Sequence, residues 1–508
     1  MSDWSLFTKI KCKLSCRISA RIFIIFYILL NNSAIAQLQN SFWCFGDSAG
    51  INFSDTSNLI SLTSALDTRG SCASIADSNG QLLFYAGTLG SYSGNHTFVF
   101  NINNQIMDGG DSIVGQAWYN ELVIIPFPGS NNLYYLFSAG VTDLLGLYYS
   151  IIDMNENQGL GRVIQKNIQV HSYSTWDGMT AIKHANGRDW WLISKDNRSG
   201  SPNGSNDFTK HLITTQGITE NSQSIGSYVS GNASTMTFSK TGNRFLFTTL
   251  AGLIEVLDFD RCTGQFSNPV IVSGIRLNGD MLTAGSAFSP NENVIYVSQN
   301  DTTSYLFQYD LTASNIPASK DTLSTIHSPR LAAGVLRLAP NDKIYWSCVW
   351  NNGITYNYPY SDTMYHTENM NLSVINSPDV VGSGCDFSLY SFYLGGKRTY
   401  WGLPNNPDYT LGEVSGSICD SLTNSVSENI YFEFEMYPNP TTDKFYIKLN
   451  EEVQADFKMF DYLGRNVLSG KISRNQELDL VNFKPGIYYL ELRILNKFFR
   501  RRIVKVDK

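Results

Sequence analysis

The stretches "FSPNENVIYVS" (288–298) and "LAPNDKIYWS" (338–347) are two copies of one pattern: an apolar residue, a small residue, a Pro-Asn turn, then a buried-type strand. Proline presets φ for such a turn, and Asn or Asp satisfies the local backbone groups. Four earlier stretches repeat the turn-then-strand layout: "SNGQLLFYAG" (78–87), "GSNNLYYLFSAG" (129–140), "ANGRDWWLIS" (185–194) and "KTGNRFLFTT" (240–249). Between Gly80, Asn131, Gly187, Gly242, Glu292 and Asp342 the steps are 51, 56, 55, 50 and 50 residues. Helical periodicity is almost absent, so the chain reads as all-β, built of many short strands.

A repeat of about 40–50 residues holding several strands is what propeller blades show, because a four-stranded blade buries its faces only against its neighbours. Several of the repeats continue into a second strand, as in "HTFVFNIN" (96–103), "GLYYSIIDM" (146–154), "LIEVLDFD" (253–260) and "SYLFQYDL" (304–311). The expectation is a β-propeller over residues 42–404 with seven blades, six or eight also fitting the length. The seventh is expected from both ends, "FWCFGDSAGINFS" (42–54) beside "CDFSLYSFYLGG" (385–396), a closure that removes exposed sheet edges. A pair of β-sandwiches is the competing architecture, and it does not account for so regular a step.

The two ends of the chain read differently. Lys9, Lys11, Lys13, Arg17 and Arg21 precede the apolar run 22–30, and Ala34-Ile35-Ala36 follows it, which is the layout of a secretory signal peptide over residues 1–36 cut between Ala36 and Gln37. The run is too short for a permanent membrane helix, which needs about 20 residues, and no later segment supplies one. Removing residues 1–36 takes away a net +4 and moves the formal charge from −7 to −11, which argues against nucleic acid as a partner. Six cysteines remain, Cys44, Cys72, Cys262, Cys348, Cys385 and Cys419, with no CxxC pair and hence no zinc signature. One or two disulfides and a set of buried free thiols are both consistent with export.

After "RTYWGLPNNPDY" (398–409) the chain becomes Ser-, Asn- and Glu-rich, so residues 405–435 read as a linker. "YPNPTTDKFYI" (437–447) then starts a last unit of four to seven short alternating strands, a small C-terminal β-sandwich over 436–508. Pro438 and Pro440 are expected to keep the linker extended and to admit the first strand of that unit.

This tail resembles the type A C-terminal sorting domain of proteins exported by the type IX secretion system of Bacteroidota. The resemblance rests on Tyr437, Pro438, Asn439 and Pro440, on Leu463 and Gly464 within "FDYLGR" (460–465), on Pro485 and Gly486 within "LDLVNFKPGIYYLEL" (478–492), and on the basic end. It implies recognition by the type IX machinery at the outer membrane, removal of the tail, and attachment to surface lipopolysaccharide or release. The larger domain is similar to secreted β-propellers of the same bacteria with WD40- and YVTN-like repeats, a likeness of fold and export context that implies no reaction.

Residue constellations for chemistry are sparse. No GxSxG occurs, since "GSYSG" (90–94) has Tyr92 at its centre. The six histidines, His96, His171, His184, His211, His327 and His366, include no HxH or HxxxH pair, so only folding can bring them together. Asp77, Asp189, Asp260, Asp310 and Asp342 sit in turns, where they cap their own backbone. "DSNG" (77–80) lacks the later ligands of a calcium loop, and "GLGRV" (159–163) lacks the context of a nucleotide fingerprint. Arg500, Arg501 and Arg502 alternate across a final strand as edge protection or an export contact. Among the tryptophans, Trp176 and Trp350 lie nearest loops and are the candidates for an exposed platform that stacks a glycan or protein ligand. The sequence thus assigns no catalytic residue, cofactor or metal. Its leading functional expectation is a secreted or surface-exposed, non-enzymatic adhesion or ligand-binding propeller. The alternative is a hydrolase or lyase acting on polysaccharide or peptide at the mouth of the propeller channel.

Overall fold

The computed structural model describes residues 38–507 except 90–95, 117, 142–143, 197–203, 276–281, 330, 352–357, 421–433, 450–453, 462–464, 474 and 495–496. The signal peptide and the Ala36/Gln37 cleavage position therefore lie outside the described residues. The chain divides into two compact units, residues 1–423 and 424–508.

The first unit is a succession of antiparallel meanders. The first sheet holds β1 (Phe42–Phe45), β2 (Asp47–Asn52), β3 (Ile60–Ala76), β4 (Leu82–Leu89) and β5 (Thr97–Asn101). The next two are β6 (Leu122–Pro126), β7 (Leu133–Gly140), β8 (Gly146–Asp153) and β9 (Arg162–His171), then β10 (Thr175–Lys183), β11 (Trp190–Asp196), β12 (Ser205–Thr214) and β13 (Gly217–Val229). They are followed by β14 (Ser234–Phe238), β15 (Arg244–Thr249), β16 (Ile254–Asp260) and β17 (Gln265–Ser273), and by β18 (Leu282–Phe288), β19 (Val294–Asn300), β20 (Ser304–Asp310) and β21 (Asp321–Ile326). The last sheet is β22 (Ala333–Leu338), β23 (Ile344–Cys348), β24 (Asn371–Ile375) and β25 (Phe387–Tyr393).

In the sheets after the first, the first strand is mostly buried and the last mostly open to solvent: β10 has eight of its nine residues buried, whereas β13 has one of thirteen. The first strands of successive sheets touch in order, β6 with β10 and on through β14, β18 and β22, and β6 also touches β3 of the first sheet. Apolar clusters fill the gaps between successive sheets, as where Phe245 and Phe247 of β15 meet Trp191, Ile193 and Phe208. This is the β-propeller that the repeat predicts.

The repeat itself is one hairpin turn made several times. Gly80, Gly187, Gly242, Glu292 and Asp342 have φ between +59° and +78°, and each donates its N–H to the carbonyl three residues back. Glycine adopts that left-handed conformation freely, and Glu292 and Asp342 adopt it against a steric cost. In the second repeat the left-handed residue is Gly129 (φ 78°) rather than Asn131.

Ring closure differs from the expectation. Within residues 385–396 the outer strand β25 spans Phe387–Tyr393, and its half-exposed alternation suits a sheet edge. The closing segment is 398–406, where residues 398–405 are all buried. It lies between β22 and β3: Val335 N–H donates to the Trp401 carbonyl at 2.7 Å, Gly402 N–H to Arg69 at 3.4 Å, and Asn405 N–H to Cys72 at 2.9 Å. Asp47 N–H donates to the Arg398 carbonyl at 2.8 Å, while Asn406 Nδ2 donates to Asn40 at 2.9 Å, so the segment runs antiparallel to β1. The Arg398 guanidinium grips the Asp47 carboxylate and donates to the carbonyls of Ser361 and Met364 at 2.7 and 3.2 Å.

Residues 405–420, expected as linker, are tied to the propeller. Tyr409 is fully buried with its hydroxyl on the Ile124 carbonyl at 2.8 Å, Arg261 Nη2 donates to the Gly412 carbonyl at 2.6 Å, and a disulfide joins Cys262 to Cys419. Cys44, Cys72, Cys348 and Cys385 are buried free thiols. Among the described residues no helix is long and apolar enough to cross a membrane.

The second unit is a two-sheet sandwich of seven strands. One sheet holds β26 (Phe434–Tyr437), β27 (Lys444–Leu449) and β30 (Asn475–Asp479). The other is ordered β29 (Asn466–Ser473), β28 (Gln454–Phe460), β31 (Gly486–Ile494), β32 (Lys497–Lys505). Their inner faces meet through Phe445, Ile447, Phe457, Met459, Leu490, Leu492 and Ile503.

Candidate functional site

The starts of the innermost strands converge on one end of the propeller channel, and a cavity of about 60 Å³ opens there. Its wall combines Tyr119, Asn120, Asp177, Ser234, Thr235, Thr283, Asn300 and Trp401, with Leu282 and Leu331 at the apolar side. Hydroxyls and amides therefore dominate the polar surface, and Ser234 Oγ is buried without a hydrogen-bond partner.

A buried polar network extends from the lining residue Asn120 to the closing segment. Arg337 Nη2 donates to Asn120 Oδ1 at 2.6 Å and Asn405 Oδ1 at 3.1 Å, and its Nε donates to the Pro404 carbonyl at 3.2 Å. Burial pushes this guanidinium down to about 10. Asn405 Nδ2 in turn donates to the carbonyls of Leu122 and Met179 at 3.1 and 2.8 Å, linking the closing segment to β6 and β10.

Two buried acids stand beside the cavity. Asp177 accepts the main-chain N–H of Asn120 at 2.7 Å and of Tyr119 at 3.1 Å, which holds the segment leading into β6. Burial first, then the neighbouring Asp177 charge, pushes Glu121 well above the usual carboxylate range, while its Oε1 accepts the Trp118 main-chain N–H at 3.1 Å. Burial also raises Asp177, against the pull of its two main-chain donors and the Arg69 charge. The Arg69 guanidinium lies over the rings of Tyr119 and Trp401, 5.2 and 5.1 Å from their centroids, and donates to the Tyr119 hydroxyl at 2.9 Å.

Of the two sequence-predicted platform residues, Trp176 is excluded by its burial. Trp176 is 1% exposed and packs with Phe208, Met236 and Phe247, its ring carrying the buried ammonium of Lys195 at 5.7 Å. It belongs to β10, an innermost strand, so the loop position read from sequence is incorrect. Trp350 is half-buried, and one face of its indole is already covered by His366, stacked with centroids 4.0 Å apart and planes 9° apart.

The residues lining the cavity were missed, yet a signal exists: Asn120, Asp177, Ser234 and Thr283 lie 11, 10, 8 and 9 residues before Asn131, Gly187, Gly242 and Glu292. They sit where each innermost strand begins, so the repeat register points to them.

In the second unit the tail motif is placed as follows. Tyr437 ends β26 and stacks on Tyr446 with centroids 5.6 Å apart, so the first strand precedes Pro438 and Pro440 instead of following them. Asn439 Nδ2 donates to the Arg502 carbonyl and its Oδ1 accepts from Val504 N–H, both at 2.8 Å, which fastens the free side of β32 near its end. Pro485 and Gly486 are exposed at the start of β31. Leu463 and Gly464 lie outside the described residues; Asp461 and Arg465 on either side pair at 2.7 Å.

A propeller followed by a separate seven-stranded sandwich defines a two-unit, all-β class of protein. Residues 435–506 match the family model of the secretion system C-terminal sorting domain, Por_Secre_tail, and this tail marks the chain for type IX export across the outer membrane to the cell surface or beyond. No curated protein matches the chain. Among solved structures it is similar to a protein from Lactobacillus plantarum, at 14% identity and TM-score 0.44, covering 72% of this chain and 98% of that one. It is also similar to the Cps50 (Swd1) β-propeller domain of Myceliophteria thermophila, at 10% identity and TM-score 0.36, covering 60% and 93%.

Proposed function

We propose that this exported propeller is a non-enzymatic binding or adhesion module that takes a neutral, hydroxyl-bearing group, such as the terminal unit of a glycan, at the channel mouth. The observation that carries this reading is the use of Asp177: the one carboxylate lining the cavity among the described residues spends both oxygens on the main-chain N–H groups of Tyr119 and Asn120. It acts as a holder of the rim. A cavity of about 60 Å³ is far below the roughly 300–1,000 Å³ of small-molecule sites and suits the tip of a larger molecule. The same reading takes the ring as seven blades, the seventh made of 398–406, β1, β2 and the first half of β3. The sorting tail meets the type IX machinery, and the processed propeller is held on surface lipopolysaccharide or released.

One observation favours the hydrolase reading: burial raises Glu121 far above the usual carboxylate range and its neighbour Asp177 less so, which resembles an acid and base with values pushed apart. The two readings separate in one experiment. The purified chain is exposed to glycan and peptide arrays, with Leu282→Trp filling the mouth and Asp177→Asn removing the charge. Binding without product, lost in Leu282→Trp, supports the module. Turnover that vanishes in Asp177→Asn overturns it.

A further inference from the structure

We propose that His171, His211 and Glu220 form a binding site for a divalent transition-metal ion, with zinc the ion its donors suit best. The three residues share no sequence motif and are joined only by the fold. His171 ends β9, while His211 of β12 and Glu220 of β13 stand directly opposite each other in the next sheet. One ligand atom from each lies within 4.8 Å of the other two. Zinc held at 2.0–2.2 Å by tetrahedral N and O ligands places those ligands roughly 3.3 Å apart. His211 Nε2 and Glu220 Oε2 already stand at 3.2 Å, and a His171 nitrogen within 4.8 Å of them would move inward to complete the triangle.

The surroundings orient the donors. Tyr173 donates its hydroxyl to Glu220 Oε2 at 2.6 Å and stacks on the His171 ring with centroids 3.6 Å apart and planes 3° apart. The His171 and His211 rings are themselves near parallel, 5.7 Å between centroids. His211 is fully buried and both His171 nitrogens are buried, whereas Glu220 reaches solvent. Two imidazoles and one carboxylate with a solvent-facing side match a three-ligand zinc site with its fourth position open to water. The ion joins two neighbouring sheets of the propeller, so its binding free energy adds to the stability of the ring.

A bare cross-strand His211–Glu220 pair makes the same contacts with no metal, and titration distinguishes the two. The purified full chain is stripped with EDTA and titrated with Zn²⁺ in competition with a chromophoric chelator, and separately with Co²⁺ followed by visible absorption. The expected result is one equivalent bound, a higher melting temperature with Zn²⁺, and visible Co²⁺ bands. His171→Gln and Glu220→Gln, both at positions that tolerate polar side chains, are each expected to lose at least about 100-fold in affinity, the upper end of what outer-shell changes cost. His327→Gln should bind as wild type. Absence of stoichiometric binding, or binding unchanged in both His171→Gln and Glu220→Gln, overturns the proposal.

Discussion

Arg398→Gln tests whether the ring is closed by the segment 398–406. The Arg398 side chain is 6% exposed and that of its partner Asp47 is 22% exposed, and the pair joins the closing segment to the β1–β2 turn. Removing one partner of a buried pair costs 3–5 kcal/mol, because the other charge is left without compensation. Water reaches Asp47 in part, which puts the expected loss near the lower end, about 3 kcal/mol. Asp67 adds to it, since burial and the Asp47 charge already hold its carboxyl above the usual range and Arg398 opposes that shift. All nine tryptophans precede Thr423, so tryptophan fluorescence during denaturation reports on the propeller unit alone. A double-mutant cycle with Asp47→Asn should give a coupling of about 2 kcal/mol. A loss below about 1 kcal/mol with no coupling would refute the clasp.

Two further perturbations probe the propeller interior. Lys195 is fully buried, with Nζ donating to the Asp207 carbonyl at 2.9 Å, and burial pushes it down to about 8 from 10.5. The unfolded chain therefore binds more protons between pH 8 and 10.5, so stability rises with pH across that window and is lower below it. Relative to Lys195→Met, the wild type should gain about 3 kcal/mol from pH 7.5 to 10.5; parallel denaturation curves for the two would contradict the burial account. Cys419→Ser opens a disulfide spanning 157 residues and should cost about 4 kcal/mol in non-reducing denaturation. If reductant leaves the wild-type midpoint unchanged, the disulfide does not hold the 405–420 tail.

What could be read from sequence was local. The turn residues Gly80, Gly187, Gly242, Glu292 and Asp342 announce themselves because a left-handed, i→i+3 turn before an apolar run has few chemical solutions. The tail was legible for the same reason, its motifs being contiguous. What failed was long-range. "FSLYSFY" and "RTYWGLPN" are both aromatic, and only packing decides that the first is an outer edge and the second a buried closing segment. Trp176 follows the loop-like "YST" and is nonetheless core, because β10 begins at Thr175. The His171, His211 and Glu220 cluster is invisible in sequence, since its members are 40 and 9 residues apart on three strands.

The most direct test of the account is truncation after Thr423, where the chain divides into its two units. The shortened protein is expressed in a host with a working type IX system and located by fractionation and surface labelling. The account predicts a folded, protease-resistant propeller retained in the periplasm, with the full chain reaching the surface or medium. Surface display of the truncated chain at the full-length level would contradict it.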